Sequence, residues 1–191
     1  VSVVALTPLA VSALALLAER PMHPYEMYQL LLERHEDRFV KIRPGSLYHA
    51  VQRLEAERLV EATGTDRDGN RPERTTYAIT AGGRVAMTER IREILQRPVR
   101  EYPHLPLALA EAHNVPAEQV AADLRQYLAA LDDDIAELAD VLRAARGRGK
   151  PETYLVGGDY LLTMTTAQRD WIALLITRID TEDFAWQPHL A

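Results

Sequence analysis

The chain contains no cysteine, which excludes disulfides, thiolate metal sites and a cysteine nucleophile. Nor does any stretch reach the ~18–20 uninterrupted apolar residues that a membrane span requires. The nearest approach is the opening VSVVALTPLAVSALALLAER. It lacks a basic leading segment and runs into a capped amphipathic pattern, so it is read as a helix of the fold and not as a signal peptide. A cytoplasmic protein without a membrane partner is the expectation. The histidines at 23, 35, 49, 104, 113 and 189 show neither HxxxH nor HExxH spacing, so no metal site is expected, and no cofactor. Gly45-Ser46 lacks the flanks of a nucleophile elbow, and no nucleophile–base pair stands out. The chain does not read as an enzyme. Lysine is scarce as well: Lys41 and Lys150 stand against 20 arginines, a bias that says nothing about function.

One further shortage is local. The segment Arg43 to Val60, RPGSLYHAVQRLEAERLV, opens a helix without an acidic residue in its first turn. Helix first turns ordinarily favour Asp or Glu, because unpaired N–H groups and the macrodipole make that end positive. An arginine, a proline, a glycine and a hydroxyl in their place point to an anion from outside the chain.

The 191 residues suffice for one or two small domains, and 47% hydrophobic with 26% charged residues is a globular composition. The net charge of −6 hides an asymmetry. Residues 1–100 carry 15 Lys+Arg against 13 Asp+Glu, while residues 101–191 carry 7 against 15. For nucleic-acid binding the local surface matters more than the total.

Thr7-Pro8 predicts a helix start, with Leu9, Ala13, Leu16 and Leu17 on one face to about Glu19. A second helix is expected from Pro24 to Arg34, striped by Met27, Leu30 and Leu31. The connector HEDRFVKIR offers Phe39 and Ile42 as inward-looking residues. In the third helix Leu47, Val51 and Leu54 form the buried row, leaving Ser46, His49, Gln52 and Arg53 outward. Residues 59–65 and 74–80 alternate, are rich in β-branched side chains and flank DRDGNRPE, which marks a hairpin tip. A helix capped by Thr80 follows. The order α-α-α-β-β-α is that of a winged helix-turn-helix, whose third helix enters the DNA major groove while the wing touches the neighbouring backbone. The expected anion is then a phosphate. Arg43 supplies charge, Pro44 sets the first turn, Gly45 lets the backbone come close, and Ser46 and Tyr48 donate to phosphate oxygens. His49, Gln52 and Arg53 are placed to reach base edges; Arg67, Asn70, Arg71 and Arg74 cluster on the wing.

PMHPYEM, RPGSLYHAVQRLEAERLV and RTTYAITAGG together resemble the PadR family of bacterial transcription regulators, over residues 8 to 95. The run Arg74, Tyr77, Thr80, Gly83 adds specificity to Pro-Gly-Ser-Leu-Tyr. Two departures stand out. Pro24 replaces a usual Gly before Tyr25, which a helix first position accepts. Arg58 replaces a common Gly before the strand; if that position is left-handed, a side chain there costs roughly 1 kcal/mol. The resemblance implies a homodimeric, usually repressing DNA binder, sometimes released by a small aromatic or drug-like ligand, with double-stranded DNA and a palindromic operator as partners.

Residues 98–116 contain four prolines and are expected to hold one short helix. Beyond them Leu124, Leu128, Leu131, Ile135, Leu138, Leu142 and Ala145 keep heptad spacing, an apolar seam for a partner helix. A last helix from about Glu152 to Ile179 has apolar residues over too wide an arc for one contact. Leu161, Ile172 and Leu175 join the seam residues as candidates for dimerisation; Tyr160, Met164 and Trp171 read first as core or dimer interface, and otherwise as walls of an effector pocket. Asp132–Asp134 reads as a solvated face, and Gly157-Gly158-Asp159 as a helix irregularity. The expected architecture is mainly α: a winged helix-turn-helix with a two-stranded wing over 1–97, then a coiled-coil-like helical domain over 98–191. A winged-helix protein-interaction module is the alternative function.

Overall fold

The structure, a computed structural model, describes residues 6–66, 74–183 and 186, with only the backbone at 65, 66 and 74. The chain divides into two compact units, Val1–Arg100 and Glu101–Ala191. The first holds α1 (Pro8–Glu19), α2 (Pro24–Glu33), α3 (Pro44–Ala56), β1 (Val60–Asp66), β2 (Arg74–Ile79) and α4 (Ala81–Gln96). The second holds α5 (His104–Ala110), α6 (Ala117–Gly147) and α7 (Val156–Asp180). Among the described residues no helix is long and apolar enough to cross a membrane.

Side-chain caps fix three helix starts in the first unit. The Thr7 hydroxyl accepts the Ala10 N–H at 3.3 Å, His23 Nδ1 accepts that of Tyr25 at 3.0 Å, and Thr80 Oγ1 that of Gly83 at 3.0 Å. The core then joins Leu14 and Leu17 of α1, Met27 and Leu31 of α2, Leu47, Val51 and Leu54 of α3, and Val60 of β1, all buried. Phe39 is not part of it. It is 54% exposed, and Val40 with Ile42 packs against the core instead. A 3-10 turn at Glu36–Arg38, entered through left-handed His35 (φ 57°), intervenes, and Val40 takes the inward place expected of Phe39.

α3 ends on a left-handed residue, Arg58, at φ 57°. The Arg58 N–H reaches the Glu55 carbonyl at 2.8 Å and the Leu59 N–H reaches that of Leu54 at 2.8 Å, the paired bonds of a Schellman stop. α6 ends the same way, but with Gly149 in the left-handed position (φ 73°). β1 and β2 pair antiparallel from Val60↔Ile79 to Asp66↔Arg74, with an irregularity between Ala62 and Gly64. Met22 adds a single rung, exchanging both backbone hydrogen bonds with Tyr77 at 3.1 Å. Where β2 enters α4, Gly83 is unavoidable. A Cβ there would stand 2.1 Å from the Leu59 carbonyl oxygen and 2.9 Å from Ile79 Cγ1.

In the second unit α6 and α7 form an antiparallel hairpin. Arg125–Asp180 (2.6 Å), Arg169–Asp132 (2.8 Å) and Arg146–Asp159 (2.7 Å) mark its register from one end to the other. These exposed pairs add little stability, but only one alignment makes all three. Asp132 is therefore paired and not merely solvated. Glu152 and then Asp159 raise the Arg146 pKa further above its ordinary value. Gly157-Gly158-Asp159 continues the helix without a break. Gly158 sits where a Cβ would come within 2.8 Å of Leu142 Cδ2, so the glycine permits close helix approach.

Two variants test these junctions by urea denaturation. Arg58→Gly relieves the left-handed strain and raises stability by about 1 kcal/mol. Gly83→Ala forces the wing base apart and lowers it by at least about 2 kcal/mol.

Candidate nucleic-acid interface

α3 presents two opposite faces. Leu47, Val51 and Leu54 are buried, whereas Arg43, Pro44, Gly45, Ser46, Tyr48, His49, Gln52 and Arg53 are all exposed. Its start differs from those of α1, α2 and α4. Arg43 occupies the N-cap in extended conformation and no side chain caps the turn; like those of α1 and α4, the turn holds no acidic residue. The N–H groups of Gly45 and Ser46 therefore have no intrahelical acceptor. A Cβ built on Gly45 would meet nothing within 4 Å, so the fold itself does not require glycine there. Among the described residues neither Arg43 nor Arg53 has an ion-pair partner. Ser46, His49, Arg53 and Glu57, with Thr7, also form the polar side of an open cavity of about 320 Å³, whose apolar side includes Leu6, Leu9 and Ala10 at and just before the start of α1. That cavity is part of the same exposed face.

The wing is held to α3 at its base. The Tyr77 hydroxyl donates to Glu55 Oε2 at 3.3 Å, and burial first, then the Glu55 charge, raises the pKa of the phenol and keeps it a donor. The Thr80 hydroxyl lies 3.0 and 3.1 Å from the carbonyls of Arg58 and Leu59. Of the wing residues proposed to touch DNA, Arg67, Asn70 and Arg71 lie outside the described residues, and of Arg74 only the backbone is described.

Residues 13–89 match the transcriptional regulator PadR-like family. The chain carries a PadR-like domain. Among solved structures, Bacillus subtilis PadR in complex with operator DNA is 15% identical, with a TM-score of 0.76 over 90% of this chain and 97% of that one. The same B. subtilis protein in complex with p-coumaric acid is 13% identical, with a TM-score of 0.71 over 91% and 98%. A PadR-like transcriptional regulator from Bacillus cereus is 15% identical, with a TM-score of 0.67 over 91% and 99%. At such identities the likeness is one of fold. No curated protein matches the chain.

Outside the PadR-like domain, the helical hairpin redistributes the expected interface. Leu124, Leu138, Leu142 and Ile172 are buried between α6 and α7 of this chain, and Leu128, Leu131, Leu161 and Leu175 pack against them; Ile135 is half-buried. The heptad seam thus finds its partner helix within the chain, a distinction that spacing alone does not contain. Tyr160, Met164 and Trp171, read first as core or dimer interface and otherwise as walls of an effector pocket, are 64%, 50% and 51% exposed. They share one face of α7 with Val156 and Leu174, at spacings of three, four and seven residues. This second stripe, about 27 Å long by helix rise, is the surface that the wide apolar arc demanded and α6 does not cover. Val156 was not among the residues singled out from the sequence, and Leu174 was counted only within the wide apolar arc; its heptad phase with Tyr160 and Trp171 was the available signal. His23 was given no role either; its ring stands edge-on to Tyr48 with centroids 5.9 Å apart.

Tyr77→Phe removes the bond that ties β2 to α3. Urea denaturation is expected to show a loss of about 1 kcal/mol.

Proposed function

We propose that the chain is a sequence-specific DNA-binding transcription regulator, a repressor and not an enzyme, acting as a cytoplasmic homodimer on an inverted-repeat operator. The observation that carries the reading is the start of α3. The first unit leaves this turn uncapped and free of acid, with open space before Gly45 and, on the exposed side, two arginines that have no ion-pair partner among the described residues. Phosphate satisfies all of these at once. Arg43, Pro44, Gly45, Ser46 and Tyr48 then hold the backbone, and His49, Gln52 and Arg53 read base edges. Arg67, Asn70, Arg71 and Arg74 of the wing reach the adjacent phosphates.

A second copy is the occupant we assign to the exposed α7 stripe, since a 27 Å apolar row in heptad phase suits a helix–helix seam. The seam residues from Leu124 to Leu142, with Leu161, Ile172 and Leu175, support that surface from beneath. A small aromatic ligand, by analogy with the p-coumaric acid bound to B. subtilis PadR, would release DNA by preferring the arrangement that does not fit the operator.

Fluorescence anisotropy on the duplex upstream of the chain's own reading frame, across a salt series, tests the reading. Log affinity should fall with log salt at about −0.9 per neutralised phosphate, and Arg43→Ala should flatten that slope by about one phosphate. Weak binding confined to low salt, there and on neighbouring promoters, would favour the protein-interaction module instead. Gly45→Ala should keep or raise the denaturation midpoint and still weaken DNA binding, because its added methyl has room in the protein and none against a phosphate. Trp171→Asp should turn the dimer into monomer in sedimentation velocity while leaving the helical circular dichroism signal intact.

A further inference from the structure

We propose that His23 is a positioning residue for DNA recognition: its ring sets the place of Tyr48 in the first turn of α3, and its backbone ties that turn to the wing. The proposal rests on the reading of α3 as the DNA-contacting helix.

His23 is an unusual choice for the work it visibly does. Its Nδ1 caps α2 by accepting the Tyr25 N–H at 3.0 Å, a task for which Ser, Thr, Asp and Asn are the ordinary residues. The same unit caps α1 and α4 with Thr7 and Thr80. The ring does what a hydroxyl or a short amide cannot: it meets Tyr48 at 71° with centroids 5.9 Å apart. That edge-to-face geometry is the favoured one for aromatic pairs. Because Nδ1 must offer its lone pair to the backbone, the ring proton is on Nε2, and the cap fixes the plane of the ring that Tyr48 meets.

The backbone is fixed as firmly. The His23 carbonyl accepts the Met27 N–H at 3.0 Å, and the preceding residue, Met22, is bound to Tyr77 of β2 through both its backbone groups. Met22 itself is buried. His23 therefore cannot shift without moving either α2 or the wing strand. Tyr48 is 37% exposed, and such a ring on its own would sample several rotamers. Against His23 it is held in one, with its hydroxyl preset for a phosphate oxygen. The wing and the recognition turn are in this way placed relative to each other through one side chain that itself touches no DNA.

Two substitutions separate the roles. His23→Asn keeps a cap and loses the ring; His23→Phe keeps a ring and loses the cap. Both are measured for urea midpoint and for anisotropy on the upstream duplex at fixed low salt. His23→Asn should hold its midpoint and lose roughly two- to tenfold in affinity, and His23→Phe should lower the midpoint while keeping most of the affinity. In a Tyr48→Ala background the affinity loss of His23→Asn should disappear, because the ring then has nothing to place. An undiminished loss in that background, or wild-type affinity for His23→Asn, overturns the proposal. If Tyr48→Ala binds normally while Arg43→Ala does not, the positioning role alone fails. If both bind normally, the reading of α3 as the DNA-contacting helix fails with it.

Discussion

The N-terminal unit depends on one peptide group, the carbonyl of Leu59. It accepts the Thr80 N–H at 3.0 Å and lies 3.1 Å from the Thr80 hydroxyl. It also faces Gly83 so closely that a Cβ would collide with it. Three elements meet there: the end of α3, the return of β2 and the start of α4. The left-handed turn at Arg58 aims that carbonyl, and the glycine leaves room for it. The Thr-x-x-Gly spacing is thus one constraint seen twice, a cap at Thr80 and a close approach at Gly83. From this junction the wing projects beside α3, and through Tyr77 it reaches both Met22 and Glu55.

Against that firmly satisfied base, α3 is the α-helix of the first unit whose start has no side-chain cap. Caps and acidic first turns typically stabilise a helix by up to about 1–2 kcal/mol, and here neither is used. Placing an acid in this turn would favour the free protein and repel a phosphate. Under the proposed function, a phosphate would satisfy the donors at this helix end. The charge division between the halves works in the same direction, since residues 1–100 are net basic and residues 101–191 strongly acidic. Under the proposed function, an acidic second half would disfavour indiscriminate contact with nucleic acid and leave the attraction local to the first.

Much of this was legible in the chain before any coordinates. Helix starts followed from Thr7-Pro8 and Thr80, the buried row of α3 from the spacing of Leu47, Val51 and Leu54, and the wing from alternation around Asp-Gly. The acid-free turn at Arg43–Ser46 was visible as a bare anomaly of composition. Phe39 was misread because a left-handed residue at His35 and a 3-10 turn intervene, and neither leaves a periodic trace. The Gly157-Gly158 pair was taken for an irregularity, since a glycine that admits Leu142 and one that breaks a helix look alike in one dimension.

What the sequence determined by itself is therefore everything that repeats or caps within a few residues: element order, the inner and outer faces of α3, and the anomaly that calls for an anion. Tertiary structure alone decided which surfaces were spent and which remained. The heptad row of α6 specifies a seam and not the chain that fills it, and the antiparallel return of α7 fills it from within. That leaves Tyr160, Met164, Trp171 and Leu174 as the open stripe. Likewise His23 and Tyr48 are 25 positions apart, and no spacing rule joins them. They meet because Met22 is bound to β2 while Leu47 and Val51 are buried in the core. Contacts between distant residues are set by packing around a shared core, which local periodicity does not encode.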